Sequence, residues 1–389
     1  MSTSPAPLDG IKVLDLSRVL AGPYCTAMLS DLGADVVKVE SPRGDDARHL
    51  GPFRDGESVY FALLNRGKRS IALDLKAESD LATFWQLVDE ADVVVENFRP
   101  GVTQRLGIGA EALLERNPRV VVASISGFGQ AGPLSDRPAY DLIVQAMSGL
   151  MAGTGPEGGP PTRVGESVGD VVAGVFAALA IVSALHGRTV TGVGTHCDIA
   201  MLDSLLALQV TPLSILNATG SLPGPVGNRH PVSTPFDTYP TKDGLCAVAV
   251  ANAAMFRRFA EMVGRPEMAD DPAYADDTGR AEHREEIEAA ATAWSSRLTT
   301  VEALEAAAAH GVPAGPIRSL DEALEDPHLS DRPVRGSMLH ERWGSMRCLR
   351  QPVVFADVEQ AETERMLHSP ALDAHRDEIL EEWSALHPS

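Results

Sequence analysis

The chain has 389 residues, of which 44% are hydrophobic and 22% charged, as expected for a globular protein long enough for two domains. The formal net charge of −21 argues against a nucleic acid or a membrane surface as partner. Four cysteines without paired spacing, and a first stretch, MSTSPAPLDG, without signal-peptide character, predict a reduced, cytoplasmic protein with no zinc site.

Apolar segments separated by helices or crossovers predict an α/β fold with an open, largely parallel sheet. The turn after the first segment, Ser17–Pro23, contains no G-x-G-x-x-G, which disfavours a nicotinamide or flavin enzyme. The predicted strands are 11–16, 34–40, 70–75, 92–96 and 119–126, with a short one at 193–200. The predicted helices of this region are 23–32, 79–90, 110–116, 137–151 and 201–217.

A smaller α+β domain is expected after a Gly- and Pro-rich segment. It contains a hairpin turned at Lys242-Asp-Gly244 and helices over 253–264 and 280–308. A β region at 352–355 and a helix at 373–386 follow. The predicted divisions are a large domain over 1–217, a linker over 218–235, a small domain over 236–311, a linker over 312–330 and a C-terminal part over 331–389.

One stretch, Thr162–Arg188, organises the large domain. Gly169-Asp170 is followed by the apolar run 171–185, which predicts a helix buried nearly all round and closed by His186-Gly187. The run is too short to span a bilayer. Asp170 lies at the positive end of this helix. Its carboxylate is either an N-cap, which the local sequence favours, or a nucleophile.

Basic residues follow the strand ends, where ligands bind in open α/β sheets. They are Arg43, Arg48, Lys68, Arg69, Arg99 and Arg105. In so acidic a chain they indicate an anionic, phosphate-bearing ligand, and the alternative is a solvated basic rim. The eleven histidines show no H-x-x-x-H or H-E-x-x-H arrangement, so no metal is expected.

Short motifs in a specific order make the chain similar to the family III CoA-transferases, the CaiB/BaiF family. The matching pieces are Ala21–Tyr24, Leu32–Glu40, Asn65–Ser70, Val95–Phe98, Pro138–Asp141, Gly169-Asp170, Gly227–Pro231 and Val312–Pro316. The resemblance implies that Asp170 is the catalytic nucleophile. It also implies a Rossmann-like large domain, a smaller domain and an interlocked homodimer.

The resemblance further implies acyl-CoA and a carboxylic acid as substrates, with no tightly bound cofactor. Ser41 stands where the family commonly has a phosphate-binding Arg, and Arg43 is expected to substitute. Leu20 replaces a Gln of some members, and Val226–Ser233 replaces a glycine-rich lid. The implied CoA-site residues are Leu20, Ala21, Leu73, Asp74, Leu75, Lys76, Asn97, Phe98, Arg99, Arg105, Pro138, Ala139, Tyr140, Asp141 and Gly169.

The expected reaction passes CoA between carboxylates through an aspartyl mixed anhydride and an aspartyl-CoA thioester on Asp170. Backbone N–H groups near Gly169 are expected to stabilise the oxyanions. One alternative is a 2-methylacyl-CoA racemase, but this needs a His at the position of Tyr140, and a phenol of pKa about 10 is poorly matched to that role. Another alternative is a non-catalytic acyl-CoA-binding protein.

Overall fold

The computed structural model describes residues 5–332, 334–356 and 367–384. The chain divides into two compact units. The first comprises Met1–Leu150, Val164–Leu213 and Pro327–Ser389, and the second comprises Met151–Arg163 and Ser214–Asp326. The predicted boundaries differ from these units because residues 151–163, all of the first predicted linker and most of the second belong to the second unit.

The described strands and helices follow the predicted alternation through the first unit. The strands are β1 (Lys12–Asp15), β2 (Asp35–Glu40), β3 (Phe53–Arg54), β4 (Glu57–Ser58), β5 (Arg69–Ala72), β6 (Val93–Glu96), β7 (Val121–Ser126), β8 (Thr195–Ala200), β9 (Phe236–Pro240), β10 (Leu245–Ala249), β11 (Ala314–Pro316), β12 (Arg335–His340), β13 (Gly344–Leu349) and β14 (Leu367–His368). The helices are α1 (Ala21–Asp31), α2 (Val59–Leu64), α3 (Glu78–Glu90), α4 (Val102–Arg105), α5 (Ala110–Arg116), α6 (Asp141–Met147), α7 (Leu150–Gly153), α8 (Val168–Thr191), α9 (Met201–Ala207), α10 (Val210–Thr219), α11 (Ala253–Met262), α12 (Asp277–Glu282), α13 (Arg284–Ser295), α14 (Thr300–His310), α15 (Leu320–Leu324) and α16 (Arg376–Ser384). Short 3-10 turns occur at Asp46–His49, Pro266–Ala269, Pro272–Tyr274 and Pro327–Asp331.

The predicted parallel sheet is confirmed. Its six strands have the order β5-β2-β1-β6-β7-β8, and all neighbours pair in parallel. Numbered along the chain this is 3-2-1-4-5-6, the order of doubly wound nucleotide-binding sheets. The order reverses between β1 and β6, which is where such sheets bind ligands.

Both faces of this sheet are buried, which explains its continuous apolar strands. On one face Val13, Val93 and Val121 pack with residues of α1 and α8. On the other face Leu14, Val94 and Val122 pack with α3 and with Trp383 of α16. The C-terminal part of the chain therefore completes the core of the first unit.

The organising helix α8 is longer than predicted. It continues through Gly187 and ends at Gly192, which has φ 76°. Only one face is buried, since Ala173 and Ile181 lie in the core whereas Leu179 is 60% exposed. The prediction of burial nearly all round is therefore wrong for the single chain. By length and composition α8 could cross a membrane, but this is weak evidence because the core helix of a soluble protein passes the same test.

The contacts of α8 place Asp170 at the carboxyl edge of the sheet. At the far end of the helix, Arg188 bonds Asp92 Oδ1 at 2.7 Å and the Arg119 carbonyl at 2.9 Å, both at the amino ends of strands. Near its start, a Cβ on Gly174 would lie 2.7 Å from the Ala21 carbonyl, so only glycine permits this approach to α1. Helix α8 thus runs opposite to the strands.

Other predicted elements are corrected in their bounds. The hairpin at Lys242–Gly244 is confirmed by the pairing of β9 with β10. Residues 314–316, predicted as linker, pair with β10 as β11 and so extend that sheet. The helix predicted over 280–308 is three helices, and that over 201–217 is α9 and α10. Residues 352–355 form no strand, and the β structure lies earlier, in β12 and β13. Residues 385–386, the predicted end of the last helix, lie outside the described residues.

Candidate active site

A pocket of about 170 Å³ opens at the carboxyl edge of the sheet, where β1, β2, β5 and β6 end. It includes five of the predicted CoA-site residues, namely Leu73, Asp74, Leu75, Lys76 and Phe98. The other lining residues were not assigned to the CoA site from the sequence. They are Leu16, Ser17, Arg18, Lys38, Val39, Glu40, Ser41, Gly44, Asp45 and Leu106.

The turn between β1 and α1 is fixed by its neighbours. The Asn97 side chain accepts a hydrogen bond from Arg18 N at 2.7 Å and donates one to the Arg18 carbonyl at 2.8 Å. Val19 has φ 66°, a left-handed conformation that is rare for a β-branched residue. Its N–H donates to Asp45 Oδ1 at 3.1 Å. Asn97 therefore shapes the pocket through the backbone of this turn.

Two buried ion pairs lie near the ends of β1 and β2, and one of them, Lys38 with Asp45, belongs to the pocket lining. Lys38 Nζ is 2.8 Å from Asp45 Oδ2, and Lys68 Nζ is 2.9 Å from Asp15 Oδ2. Burial opposes the charged form of Asp15, but Lys68 and Lys38 together hold the pKa of that carboxyl well below its usual range. Burial lowers the pKa of Lys68 to about 8, against the opposing effect of Asp15. These charges hold each other in place and lie out of solvent.

Half of the predicted basic cluster is neutralised by acidic side chains of the same chain. Lys68 pairs with Asp15, Arg48 pairs with Glu40 at 2.6 Å, and Arg69 pairs with Asp35. Arg43, Arg99 and Arg105 are exposed and do not line the pocket. The cations that line it besides Lys38 are Lys76 and Arg18, whose guanidinium lies 5.3 Å from the Phe98 ring centroid. The expectation that Arg43 replaces the missing Arg is therefore not supported by its position.

Asp170 is the third residue of α8 and is not its N-cap, which is Ser167. The N-cap interpretation of Asp170 is therefore wrong. Within the described part of the chain its carboxylate accepts no hydrogen bond. Burial, together with the negative charges of Asp141 and Glu166, raises the pKa of Asp170 to about 7. This environment disfavours the charged form of Asp170 relative to the neutral acid. The carboxylate is therefore reactive once it ionises.

Asp141 and Gln145 of α6 hold the backbone around Asp170. Asp141 Oδ1 accepts from Gly169 N at 2.8 Å, and Gln145 Nε2 donates to Asp141 Oδ2 at 2.7 Å. Gln145 Oε1 accepts from Val164 N at 2.9 Å. A Cβ on Gly169 would lie 2.8 Å from Val144 Cγ2, so glycine is required at this position. Because the Gly169 N–H is already bonded, it is not free for the oxyanion role expected from the sequence.

Tyr60 lies within electrostatic reach of both Asp170 and Asp45. Burial raises the pKa of Tyr60 to about 12, and the negative charges of Asp170, Glu166 and Asp45 add to the effect. Asp45 lines the pocket, so this half-buried phenol lies within electrostatic reach of both the pocket and the nucleophile candidate. No sequence pattern points to Tyr60, because it stands in an ordinary apolar helix, α2.

Of the remaining predicted CoA-site residues, some are buried and others are exposed. Leu20 and Ala21 are buried at the start of α1, and Ala139 packs against Gly127. Pro138 is exposed, and Tyr140 is 75% exposed at the start of α6. Over the described ranges, no three His, Cys, Asp or Glu side chains are grouped so that they would hold a metal ion.

Comparisons with known proteins show which family the chain resembles. The sequence profile of CoA-transferase family III matches residues 8–376. The chain is 44% identical to an acetyl-CoA:oxalate CoA-transferase of Acetobacter aceti, covering 85% of this chain and 86% of that protein. It is 38% identical to a succinate–glutarate CoA-transferase of Agrobacterium fabrum, covering 99% and 98%. A crystal structure of a CaiB/BaiF family protein from Brucella suis matches with 35% identity and a TM-score of 0.83, covering 98% of this chain and 100% of that one.

These matches confirm the resemblance drawn from the motifs. The chain belongs to CoA-transferase family III and is an enzyme that transfers CoA between carboxylic acids.

Proposed function

We propose that Asp170 carries the CoA transfer as a covalent nucleophile. One Oδ attacks the thioester carbonyl of the donor, the C–S bond breaks, and CoA thiolate leaves a mixed anhydride behind. The thiolate then attacks the Asp170 carbonyl and releases the donor acid, which leaves an aspartyl-CoA thioester. The acceptor carboxylate reverses both steps. The observation that carries this proposal is the carboxyl of Asp170, which has no hydrogen-bond partner among the described residues and a pKa raised to about 7.

The pocket at the strand ends is the proposed site of the CoA nucleotide. Its apolar walls, Leu75 and Phe98, suit the adenine ring, and Lys76 and Arg18 suit the phosphates. Tyr60 lies within electrostatic reach of Asp45 of this pocket and of Asp170. We place the pantetheine arm along this path, so that the thioester reaches the start of α8.

The acids are proposed to be short aliphatic carboxylates. The named relatives use acetyl-CoA with oxalate, or succinate with glutarate. The acceptor carboxylate attacks Asp170 as the uncharged aspartyl-CoA thioester, so the negative charges that it approaches are those of Asp141 and Glu166. Exclusion of water is required as well, because water hydrolyses an anhydride.

The assembly is proposed to be a cytoplasmic, interlocked homodimer, as the resemblance implies. Apolar side chains are exposed along several helices of the first unit, and such surfaces mark protein contacts. They include Leu142, Ile143 and Met147 of α6, Val175 and Leu179 of α8, Leu206 of α9, and Val210 and Leu213 of α10.

The experiment follows CoA exchange and captures the intermediate. Wild-type enzyme is mixed with acetyl-CoA or succinyl-CoA and with oxalate or glutarate, and the new thioester is measured by chromatography. Enzyme quenched during turnover is digested, and the mass of the peptide that contains Asp170 is measured by mass spectrometry to detect a CoA adduct. Adduct on this peptide, together with loss of turnover in Asp170→Asn, is expected. Turnover retained by Asp170→Asn, or an adduct elsewhere, contradicts the mechanism.

A further inference from the structure

The edge strand β5 is covered by side chains from the end of the chain. β5 is the first strand in the sheet order, so its outer side has no strand neighbour in the described sheet. Ser70 and Ala72 direct their backbone groups to that side. Residues 373–376, here called the C-terminal clamp, bond these groups. Ser70 N donates to His375 Nδ1 at 3.2 Å, and His375 N donates to the Ser70 carbonyl at 3.1 Å.

The clamp bonds Ala72 through two charged side chains. Ala72 N donates to Asp373 Oδ1 at 2.8 Å, and Arg376 Nη2 donates to the Ala72 carbonyl. Arg376 Nε also contacts both carboxylate oxygens of Asp373, at 3.1 and 3.0 Å. Asp373 has φ 60°, a left-handed conformation that Asp tolerates better than most residues. The pair thus occupies the place of a further strand at this residue.

Ala72 is directly followed by a wall of the pocket, Leu73–Lys76. The clamp also reaches the opposite side of the pocket through Glu40. Asp373 N donates to Ser70 Oγ at 3.1 Å, and Ser70 Oγ donates to Glu40 Oε1 at 2.7 Å. Glu40 Oε2 accepts from Asp45 N at 3.0 Å, and both Glu40 and Asp45 line the pocket. One connected set of hydrogen bonds therefore joins the clamp to both walls.

We propose that Asp373 and Arg376 are positioning residues for CoA. They hold Ala72, and through it the wall Leu73–Lys76, in the arrangement that accepts the nucleotide. Neither residue lines the pocket or bonds Asp170, so we expect the clamp to set CoA affinity and to leave the chemical step unchanged. The inference rests on the proposed function only in taking this pocket as the CoA site.

Three variants separate the contributions. Asp373→Gly removes the carboxylate and is compatible with φ 60°, whereas alanine would add backbone strain. Asp373→Asn keeps an oxygen that can accept from Ala72 N but loses the charge. Arg376→Ala removes the bond to the Ala72 carbonyl. The control is Arg116→Ala, which breaks a surface pair with Asp89, on helices that contribute nothing to the pocket lining.

Binding of CoA alone is measured by calorimetry, and transfer is measured at saturating substrates. Asp373→Gly and Arg376→Ala are each expected to raise the Kd for CoA about 5- to 10-fold, and Asp373→Asn about 2- to 3-fold. The kcat should stay within about twofold of wild type in all of them, since the clamp acts on a binding step. Hydrogen exchange of the Ala72 amide should accelerate in Asp373→Gly and not in Arg116→Ala.

Two results overturn the proposal without touching the proposed function. One is accelerated exchange at Ala72 with an unchanged Kd for CoA. The other is a fall in kcat by the same factor as the rise in Kd, together with a lowered Tm. That pattern indicates general destabilisation of the fold. If the wild-type enzyme transfers CoA but the Phe98→Ala variant also binds CoA with the wild-type Kd, the pocket is not the nucleotide site. The pocket assignment and the role of the clamp then both fail.

Discussion

Replacing Asp170 by asparagine is expected to abolish CoA transfer and to stabilise the fold, with both effects arising from the same half-buried carboxyl. The pKa of Asp170 is raised from 3.8 to about 7 by burial and by the charges of Asp141 and Glu166. Between about pH 4 and 7 the folded state therefore binds a proton that the unfolded state does not. The contribution of Asp170 to stability falls as the pH rises through this window, and it is constant above pH 7.

The magnitude follows from the size of the shift. A difference of about three pKa units corresponds to roughly 4 kcal/mol at most, at 1.36 kcal/mol per unit. Partial exposure of the side chain to solvent reduces this to about 1–3 kcal/mol. Asparagine is neutral at every pH. The gain in unfolding free energy of Asp170→Asn over wild type should therefore grow from near zero at pH 4 to this plateau above pH 7.

Urea unfolding at pH 5, 6, 7 and 8, at one fixed protein concentration, measures this difference. A gain in stability that does not change with pH, or a loss at pH 8, would refute the reasoning from burial. A matched variant, Asp203→Asn, removes an exposed carboxylate of α9 and should retain transfer activity. Transfer lost in both variants would show that the effect is not specific to Asp170.

The same geometry makes three further predictions. The kcat/KM of transfer should fall about tenfold per pH unit below 7, as Asp170 becomes protonated. Asp141→Asn should move the midpoint of this profile to lower pH, because it removes a nearby negative charge while keeping an acceptor for Gly169 N. An unmoved midpoint would contradict this. Phe98→Ala should raise the KM for acyl-CoA about tenfold with little change in kcat, and a change in kcat alone would argue against a binding role. Tyr140→Phe should keep transfer within about threefold of wild type. No deuterium should enter the α-position of a 2-methylacyl-CoA in deuterated water, and rapid entry that is lost in Tyr140→Phe would favour a racemase.

The sequence predicted the central sheet well because its strands are buried on both faces. Such strands are continuous apolar runs, and their limits lie close to those of the runs. Helix ends were less predictable. The sequence predicts that α8 ends at His186-Gly187. The space around Gly187 is open, however, so no neighbouring atom prevents the helix from continuing. The end is set instead by Gly192, which has the left-handed φ of 76° typical of glycine at a helix C-terminus, so the local pattern offered two glycines and did not choose between them.

For the candidate site, the sequence predicted which residues lie at the strand ends but not where their side chains point. Leu73–Lys76 and Phe98 line the pocket as expected. Lys68 has the same kind of position in the sequence, yet it is buried against Asp15. Arg18 was missed because one cation in a tight turn carries no pattern, and its place over Phe98 depends on packing between β1 and β6.

The exposed face of α8 connects the predicted burial of this helix with the proposed homodimer. The all-apolar sequence predicts a helix without a solvent face, but the single chain leaves Val175, Leu179 and Val182 exposed. Leaving such side chains in water costs about 25 cal/mol per Å² of apolar surface, so a second copy that covers them is favoured. The same helix carries Asp170. By helical periodicity Asp170 lies in line with Ala173 and Ala177 on the buried face, so covering the exposed face should leave the pH midpoint of catalysis unchanged.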